Sequence, residues 1–404
     1  MDTSSLDLST SRLPAAARIL LGLLSRLQVG RLQVSTPEGE TLHFGRSSSA
    51  AAQTLEIRDW QACARILRSG DIGFAEAYRD GQVDTADLTG LLRLALQNEA
   101  LLDRALFGGK LAAMWHRLKF LLRRNSKRGS RRNIHAHYDI GNEFYRLWLD
   151  ESWTYSSALF GDDQARAAMP LHEAQQRKYQ RILDVLSPQP GSRLLEIGCG
   201  WGGFAELALD QGHDWTGVTI SQAQHDWARA RLSRFGGKGD LRLTDYRDLE
   251  GQFDGIVSIE MFEAVGMPYW STYFRQVARL LKPGGEAVVQ SITIDDARFE
   301  RYAGGTDFIQ QFIFPGGMLP SPERFEAEAR KAGLEVVGQM AFGLDYAETL
   351  RRWRQAFEAA LPEVRAQGFD EAFIRIWRLY LCYCEAGFDE RRTDVVQFHL
   401  RKLA

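Results

Sequence analysis

From Pro188 onward, short apolar segments alternate with stretches of helical periodicity. Strands are predicted at Arg193–Ile197, Trp215–Thr219, Leu241–Thr244, Gly255–Ile259 and Glu286–Ile292, and a closing strand at Asp394–Arg401. Helices are predicted at Ser221–Phe235, Tyr269–Leu281, Ser321–Ala332, Tyr346–Leu361 and Asp370–Ala386. This βαβ rhythm indicates an α/β fold with a doubly wound, mostly parallel sheet.

The N-terminal part of the chain has a different pattern. An amphipathic helix is predicted at Ala15–Leu27. Short alternating segments predict small antiparallel strands at Arg31–Val34, Thr41–Phe44 and Thr54–Ile57. A helical pattern then runs from Asp59 to about His116, with Gly70 and Gly81 as expected breaks. We predict a smaller α+β domain over residues 1–117, for membrane association or dimerisation.

A basic segment separates the two parts. Lys119–Arg132 holds seven basic residues and no acidic one. It is either a solvated linker or a patch for an anionic membrane surface, where each basic residue contributes about 1 kcal/mol. We assign residues 118–133 to this linker and 134–404 to a catalytic domain.

Composition sets limits on the partners. The 404 residues are 45% hydrophobic and 25% charged, with 50 basic and 52 acidic side chains, so the near-neutral chain indicates no nucleic-acid partner. The four cysteines, Cys63, Cys199, Cys382 and Cys384, show neither zinc nor disulfide spacing, which is consistent with a reducing cytoplasm. Ala15–Leu27 is too short to span a bilayer, so a lipid substrate would be reached from the aqueous side.

A glycine-rich turn follows the first predicted strand of the sheet. Gly198–Gly203 reads Gly-Cys-Gly-Trp-Gly-Gly and comes directly after Glu196 and Ile197. Glycines let the backbone pass close to a ligand, although nicotinamide enzymes use similar turns. Asp245 and the turn Leu281–Gly285 resemble features of class I methyltransferases, a resemblance that favours S-adenosylmethionine as the cofactor. The second strand lacks the carboxylate that would bind an NAD ribose.

Residues from about 135 to 401 resemble the cyclopropane-fatty-acyl-phospholipid synthases and the mycolic acid cyclopropane synthases. The matching motifs are His137–Tyr145, Thr154–Ser157, Glu196–Gly203, Thr219–Gln224, Asp245–Asp248, Ser258–Glu263, Phe312–Ser321, Asp345–Leu350 and Tyr383–Phe388. The additional N-terminal domain is similar to that of the bacterial phospholipid enzymes.

The resemblance implies methyl transfer from S-adenosylmethionine to the double bond of an unsaturated acyl chain, followed by loss of a proton from the transferred carbon. It implies that the cofactor is bound by Tyr155, Ser156, Glu196, Gly198, Gly200, Gly202, Thr219, Ile220, Gln224, Asp245, Tyr246 and Arg247. Because an alkene is a poor nucleophile, the site must orient it and exclude water.

The resemblance also implies a proton acceptor, a bound bicarbonate. Glu263, Ile292 and Tyr346 match the bicarbonate-site positions, and we expect Glu263 to act directly or through the anion. Ser157 and Gln290 stand where the family usually has Cys and His, so they can donate hydrogen bonds but supply no imidazole.

Two further residues complete the predicted catalytic set. Cys384 matches the cysteine regarded as active in the family, although a buried, inert thiol is an equal alternative. Tyr138 and Tyr346 are the aromatic residues expected to stabilise a carbocation, since ring faces attract positive charge.

Four functions remain open from the sequence. The first is cyclopropanation of phospholipid acyl chains by an enzyme on the inner membrane face. The family resemblance implies that such an enzyme forms a homodimer through the N-terminal domain. The second gives a methylene or, with a reductase partner, a methyl branch. The third is N-methylation of a small molecule, and the fourth is lipid binding without catalysis.

Overall fold

The computed structural model describes residues 13–45, 51–101 and 140–403 of the chain. The basic segment predicted as a linker and Tyr138 lie outside these ranges. Within them, no helix combines the length and apolar character needed to cross a membrane. The described residues form two compact units: one contains those up to 101 together with Asp370–Ala386, and the other contains 140–369 and 387–403.

The first unit contains a four-stranded sheet. Its elements are α1 (Ala15–Leu24), β1 (Arg31–Ser35), β2 (Thr41–Gly45), β3 (Gln53–Ile57), α2 (Gln61–Arg79), β4 (Val83–Asp84) and α3 (Leu88–Gln97). The sheet order is β2-β1-β3-β4. β2 pairs antiparallel with β1, as expected. The expectation of antiparallel strands was wrong for the pair of β1 and β3, which is parallel. No hairpin joins these two strands, because the chain passes through β2 between them. The break expected at Gly70 is present: its φ of 58° is not helical, and α2 consists of two helical parts on either side of this kink.

The second unit is built on a seven-stranded sheet. Its strands are β5 (Arg193–Ile197), β6 (Asp214–Thr219), β7 (Asp240–Leu243), β8 (Phe253–Ile259), β9 (Leu281–Ile294), β10 (Leu334–Ala341) and β11 (Thr393–Lys402). The order is β10-β11-β9-β8-β5-β6-β7, with β11 antiparallel to both neighbours and the other pairs parallel. The mostly parallel, doubly wound sheet is therefore confirmed, and β10 was missed from the sequence.

Helices accompany this sheet. They are α4 (Asn142–Tyr145), α5 (Asp163–Ala168), α6 (Leu171–Leu186), α7 (Gly203–Asp210), α8 (Gln222–Leu232), α9 (Trp270–Leu280), α10 (Asp296–Gly304), α11 (Pro322–Lys331), α12 (Gly343–Ala359), α13 (Leu361–Ala366) and α14 (Glu371–Asp389), whose residues up to Ala386 cluster with the first unit. Alternate residues of β5 enter two hydrophobic clusters: Leu195 and Ile197 pack with α9 and α11, and Leu194 with α6 and α7. The sheet is therefore buried on both faces, as parallel sheets require.

Candidate active site

Four parallel strands end at one edge of the sheet in the second unit. Predicted site residues follow three of them: the glycine turn follows β5, Ile220 follows β6, and Asp245 lies just beyond β7. Glu260, which was not predicted as a site residue, follows β8. Since β5 pairs with β6 on one side and β8 on the other, this edge is the switch point at which open α/β sheets bind ligands.

The glycine turn has backbone geometry that side chains would disturb. Gly198, Gly200 and Gly202 have φ values of 83°, 51° and 84°. A Cβ on Gly198 would lie 2.8 Å from the Met261 Cγ, whereas a Cβ on Gly200 would point into open space. The turn therefore leaves room beside Gly200 and ends at the N-terminus of α7, which suits close approach of a cofactor.

The segment after β6 is fixed by its own hydrogen bonds. The Thr219 hydroxyl donates to Gln224 Oε1 at 3.0 Å, and the Ser221 amide donates to Thr219 Oγ1 at 3.2 Å. Thr219 and Gln224 are buried, and Ile220 is half-buried between them. These three predicted cofactor residues therefore form one ordered turn.

Two acidic residues of the predicted cofactor set are buried and engaged. Asp245 accepts hydrogen bonds from the Arg247 amide at 3.0 Å and from its Nε at 2.8 Å, which fixes the turn that carries Tyr246. Glu196 accepts from Trp215 Nε1 at 3.0 Å, and burial raises the pKa of its carboxyl to about 8. Glu196 is therefore a buried carboxyl held by the Trp215 indole directly before the glycine turn.

Tyr155 belongs to an aromatic cluster close to the glycine turn. Its ring centroid lies 5.4 Å from that of Tyr145, 5.5 Å from Trp148 and 5.4 Å from Trp353. Trp353 in turn lies 6.1 Å from Tyr346. Tyr155 was predicted to bind the cofactor, and Tyr346 was predicted to stabilise a carbocation. Trp353 joins the two in one aromatic surface that can stabilise positive charge.

Three residues expected around a bound anion converge instead on the carboxylate of Glu260. The Ser157 amide and Gln290 Nε2 each donate to Glu260 Oε1 at 2.8 Å, and the Tyr346 hydroxyl donates to Oε2 at 2.7 Å. The Ser157 hydroxyl points away and donates to the Ala158 carbonyl. Glu260 lay within a motif quoted from the sequence but was not selected as a site residue.

Glu260 has a backbone conformation that non-glycine residues rarely adopt. Its φ is +49°, in the left-handed region, at a cost of about 1–2 kcal/mol. Its amide donates to the Gln290 carbonyl at 2.8 Å, which extends the β8–β9 pairing by one residue. Such strain typically persists where surrounding contacts enforce it, as at active sites.

Glu263 is held separately from Glu260. Its Oε1 accepts from the Ile292 amide and from the Ser291 hydroxyl. Burial, together with repulsion by Glu260, raises the pKa of Glu263 to about 8. Burial also raises the pKa of Glu260, while Lys178 opposes that shift. Glu263 Oε2 is buried without a hydrogen-bond partner in the described part of the chain, so fewer contacts stabilise a charge on Glu263 than on Glu260.

The amide of Gln290 is oriented by a second glutamine. Gln397 lies opposite Gln290 on β11 and donates from Nε2 to Gln290 Oε1 at 2.9 Å, and Arg181 of α6 donates to Gln397 Oε1. With its carbonyl accepting from Gln397, Gln290 must turn its amino group towards Glu260. Arg181, Gln397 and Gln290 thus form a donor chain that ends on the carboxylate.

Gln397→Leu should therefore weaken the site without disturbing the cofactor turn. Loss of a buried hydrogen bond of about 1–2 kcal/mol predicts a roughly 5- to 30-fold lower rate of product formation. Binding of S-adenosylmethionine, measured by calorimetry, should stay unchanged. The control is Gln339→Leu, an exposed position on β10, which should retain the full rate; equal rates in the two variants would contradict the orienting role.

The segment that carries Ser157 is anchored by α12. Asp345 Oδ2 accepts from the Phe160 amide at 2.8 Å and the Gly161 amide at 2.9 Å. Thr349 Oγ1 accepts from the Ala158 amide at 3.1 Å. Since Tyr346 is on the same helix, α12 positions both the Ser157 amide and the Tyr346 hydroxyl relative to Glu260.

Two predicted catalytic residues are not placed with this group. Cys384 lies on α14 among the residues of the first compact unit, where it is half-buried. Tyr138 lies outside the described residues. Their catalytic roles stay predictions.

The chain is similar in sequence and fold to several known proteins. The model of the mycolic acid cyclopropane synthetase family matches residues 125–398. The tuberculostearic acid methyltransferase UfaA1 of Mycobacterium tuberculosis is 37% identical over 416 residues, covering 98% of this chain and 97% of that protein. The cyclopropane-fatty-acyl-phospholipid synthase of Escherichia coli K12 is 35% identical over 355 residues, covering 87% and 88%. The crystal structure of mycolic acid cyclopropane synthase CmaA1 complexed with SAH and CTAB is 31% identical, has a TM-score of 0.61 and covers 67% of this chain and 98% of that one.

Proposed function

Because the chain belongs to the mycolic acid cyclopropane synthetase family of S-adenosylmethionine-dependent methyltransferases, we propose that it methylates the double bond of an unsaturated fatty acyl chain and that Glu260 accepts the proton released. The observation that carries the proposal is the convergence of the Ser157 amide, Gln290 and Tyr346 on this one carboxylate. Those donors fix a base at the carboxyl edge of the sheet, beside the glycine turn.

The proposed reaction balances with a single proton acceptor. When bound, S-adenosylmethionine supplies an electrophilic methyl group. The π electrons of the lipid form the new C–C bond, the sulfur–methyl bond breaks, and positive charge appears on the other alkene carbon. The aromatic surface of Tyr155, Trp353 and Tyr346 stabilises that charge and excludes water. Glu260 then takes a proton from the transferred carbon.

Glu260 takes the place of the bicarbonate that the family resemblance led us to expect. Three of the hydrogen-bond donors near that position already bind its carboxylate. A second anion there would lie against Glu260 and near Glu263, and like charges at short range in a buried site are strongly disfavoured. The residues present therefore do not fit a bound bicarbonate.

We further propose that the product is a methylene branch. Both a ring and a methylene group require loss of a proton from the transferred carbon, so Glu260 serves either outcome. The methylene product needs a hydride shift to the cationic carbon before that loss. The Glu260 carboxylate is tethered and held by three donors, so it cannot move with the transferred carbon as a free anion can. Removal of the proton is then slow enough for the hydride shift to occur first. In support, one relative that is similar over 98% of this chain is the tuberculostearic acid methyltransferase UfaA1.

A cyclopropane is the second candidate product, and the similarity to the Escherichia coli synthase favours it. For either product, we propose that the substrate is a phospholipid acyl chain, reached by peripheral association with the inner membrane face. A reductase partner would convert the methylene to a methyl branch. Dimerisation through the N-terminal domain is likewise a proposal.

Product analysis tests these assignments. The protein is incubated with S-adenosylmethionine bearing a trideuterated methyl group and with vesicles of defined unsaturated phospholipids. We expect acyl chains that gain one carbon with two deuterons, and NMR signals of an exocyclic alkene. High-field ring signals would instead establish the cyclopropane. Methylation of a soluble amine with none on lipid would refute the proposed function.

A further inference from the structure

A lysine that the mechanism above does not use is fully buried beside the site. Lys178 lies on α6 and is 0% exposed. Lysine is almost never fully buried unless its ammonium is paired, because desolvating the charge is costly. Its presence on the apolar side of this helix therefore requires an explanation.

The Lys178 ammonium is held by polar partners from two segments. It donates to the Ser156 hydroxyl at 2.6 Å and to Gln175 Oε1 at 2.7 Å. Gln175 also donates from Nε2 to the Ser156 carbonyl at 2.9 Å. Lys178 and Gln175 together thus clamp Ser156. The next residue is Ser157, whose amide donates to Glu260.

The charged groups around Lys178 are acidic. Glu260, Asp150 and Glu196 all interact with it electrostatically. Glu196 accepts a hydrogen bond from Trp215 Nε1, and burial raises the pKa of its carboxyl. Glu260 differs in accepting three hydrogen bonds, which favour its ionised form.

Resting on the proposed function, we propose that Lys178 is a positioning residue for the proton acceptor: its buried ammonium keeps Glu260 ionised and clamps Ser156 so that the Ser157 amide stays aimed at the carboxylate. Burial lowers the pKa of Lys178 to about 7 and raises that of Glu260, so each group depends on the other to stay charged. The other titratable groups that act on Glu260 are Tyr346, which donates to it, and Glu263, with which it interacts electrostatically.

Three variants separate charge from clamping. Lys178→Met removes both, and because it leaves the Glu260 charge without its buried partner it is also expected to destabilise the fold. Lys178→Gln removes the charge but can still hydrogen-bond to Ser156 and Gln175. Gln175→Leu removes hydrogen bonds and leaves the charge. The measurement is the rate of product formation against pH, with saturating S-adenosylmethionine and unsaturated phospholipid vesicles.

We expect the acid limb of the profile to move to higher pH in both Lys178 variants. Without the ammonium, the Glu260 carboxylate is less stable, so its pKa rises and activity appears only at higher pH. A displacement of about one pH unit corresponds to a roughly tenfold lower rate on the acid limb, with recovery at alkaline pH. Gln175→Leu should lower the rate at every pH without displacing the limb.

The controls distinguish the two proposals. If Lys178→Gln keeps the wild-type limb while Glu260→Gln is inactive, the role of Lys178 is refuted and the proposed function stands. If Glu260→Gln is fully active, the proposed function itself fails. If the acid limb of the Gln175→Leu profile is displaced as far as that of Lys178→Met, the effect comes from clamping, and the proposed role of the Lys178 charge is overturned. Should Lys178→Met fail to fold, Lys178→Gln decides the question.

Discussion

Glu260→Gln is expected to lower product formation by roughly 10²- to 10⁴-fold, the usual contribution of a positioned base. The amide keeps the size of the side chain, but it cannot accept the proton. The affinity for S-adenosylmethionine should not change, because the cofactor turn is built from other residues. Single-turnover measurement of methylated lipid, beside calorimetric titration of the cofactor, checks both expectations. Glu263→Gln is the matched variant, and its loss should be smaller, about tenfold or less, since the Ser157 amide, Gln290 and Tyr346 bind Glu260 and not Glu263.

A second substitution at the same position supplies the control. Glu260→Gly removes the carboxylate, suits the φ of +49° and leaves the three donors in place. Added bicarbonate or formate should then restore product formation in a saturable manner, and should not restore Glu260→Gln, whose side chain fills the space. Full activity of Glu260→Gly without any added anion would rule out the proposed acceptor.

Much of the sheet was predictable because its strands are apolar and buried on both faces. β5, β8 and the glycine turn follow directly from such patterns. β10 was missed because only Leu334 of the strand is buried, and its pairing with β11 shifts between Val336 and Gly338. Its weak alternation of half-buried and exposed positions carries little hydrophobic signal.

The residues of the site were largely predictable, whereas their common partner was not. Ser157, Gln290 and Tyr346 are separated from Glu260 by 103, 30 and 86 residues. Motif matching indicates that such residues meet near an anion, but spacing along the chain does not say which of two nearby carboxylates they bind. The choice of Glu263 over Glu260 followed from family resemblance, and only the folded strand ends show that the three donors meet at Glu260.

Lys178 could have been found from the helical pattern alone. Ala174, Lys178 and Ile182 recur every four residues on α6, and all three are buried. A lysine in the middle of an apolar stripe breaks binary patterning, and such breaks concentrate at functional sites. The signal was present, and the helix was not included in the sequence prediction.

Asp345→Ala is expected to destabilise the second unit by about 3–5 kcal/mol, because removing one partner leaves buried polar groups unsatisfied. Asp345 is 1% exposed, and it accepts from the Phe160 and Gly161 amides and from Arg166.

Calorimetry of the full chain should show the melting transition of this unit lowered by roughly 6–20 °C. Thr349→Val is the matched control on the same helix, where loss of the hydrogen bond to the Ala158 amide should cost only about 1 kcal/mol. Because the same anchor holds the Ser157 segment, the Asp345 variant should also lose activity below its melting temperature. A wild-type melting temperature for Asp345→Ala would show that the segment is held by other contacts, and α12 would then position Tyr346 alone.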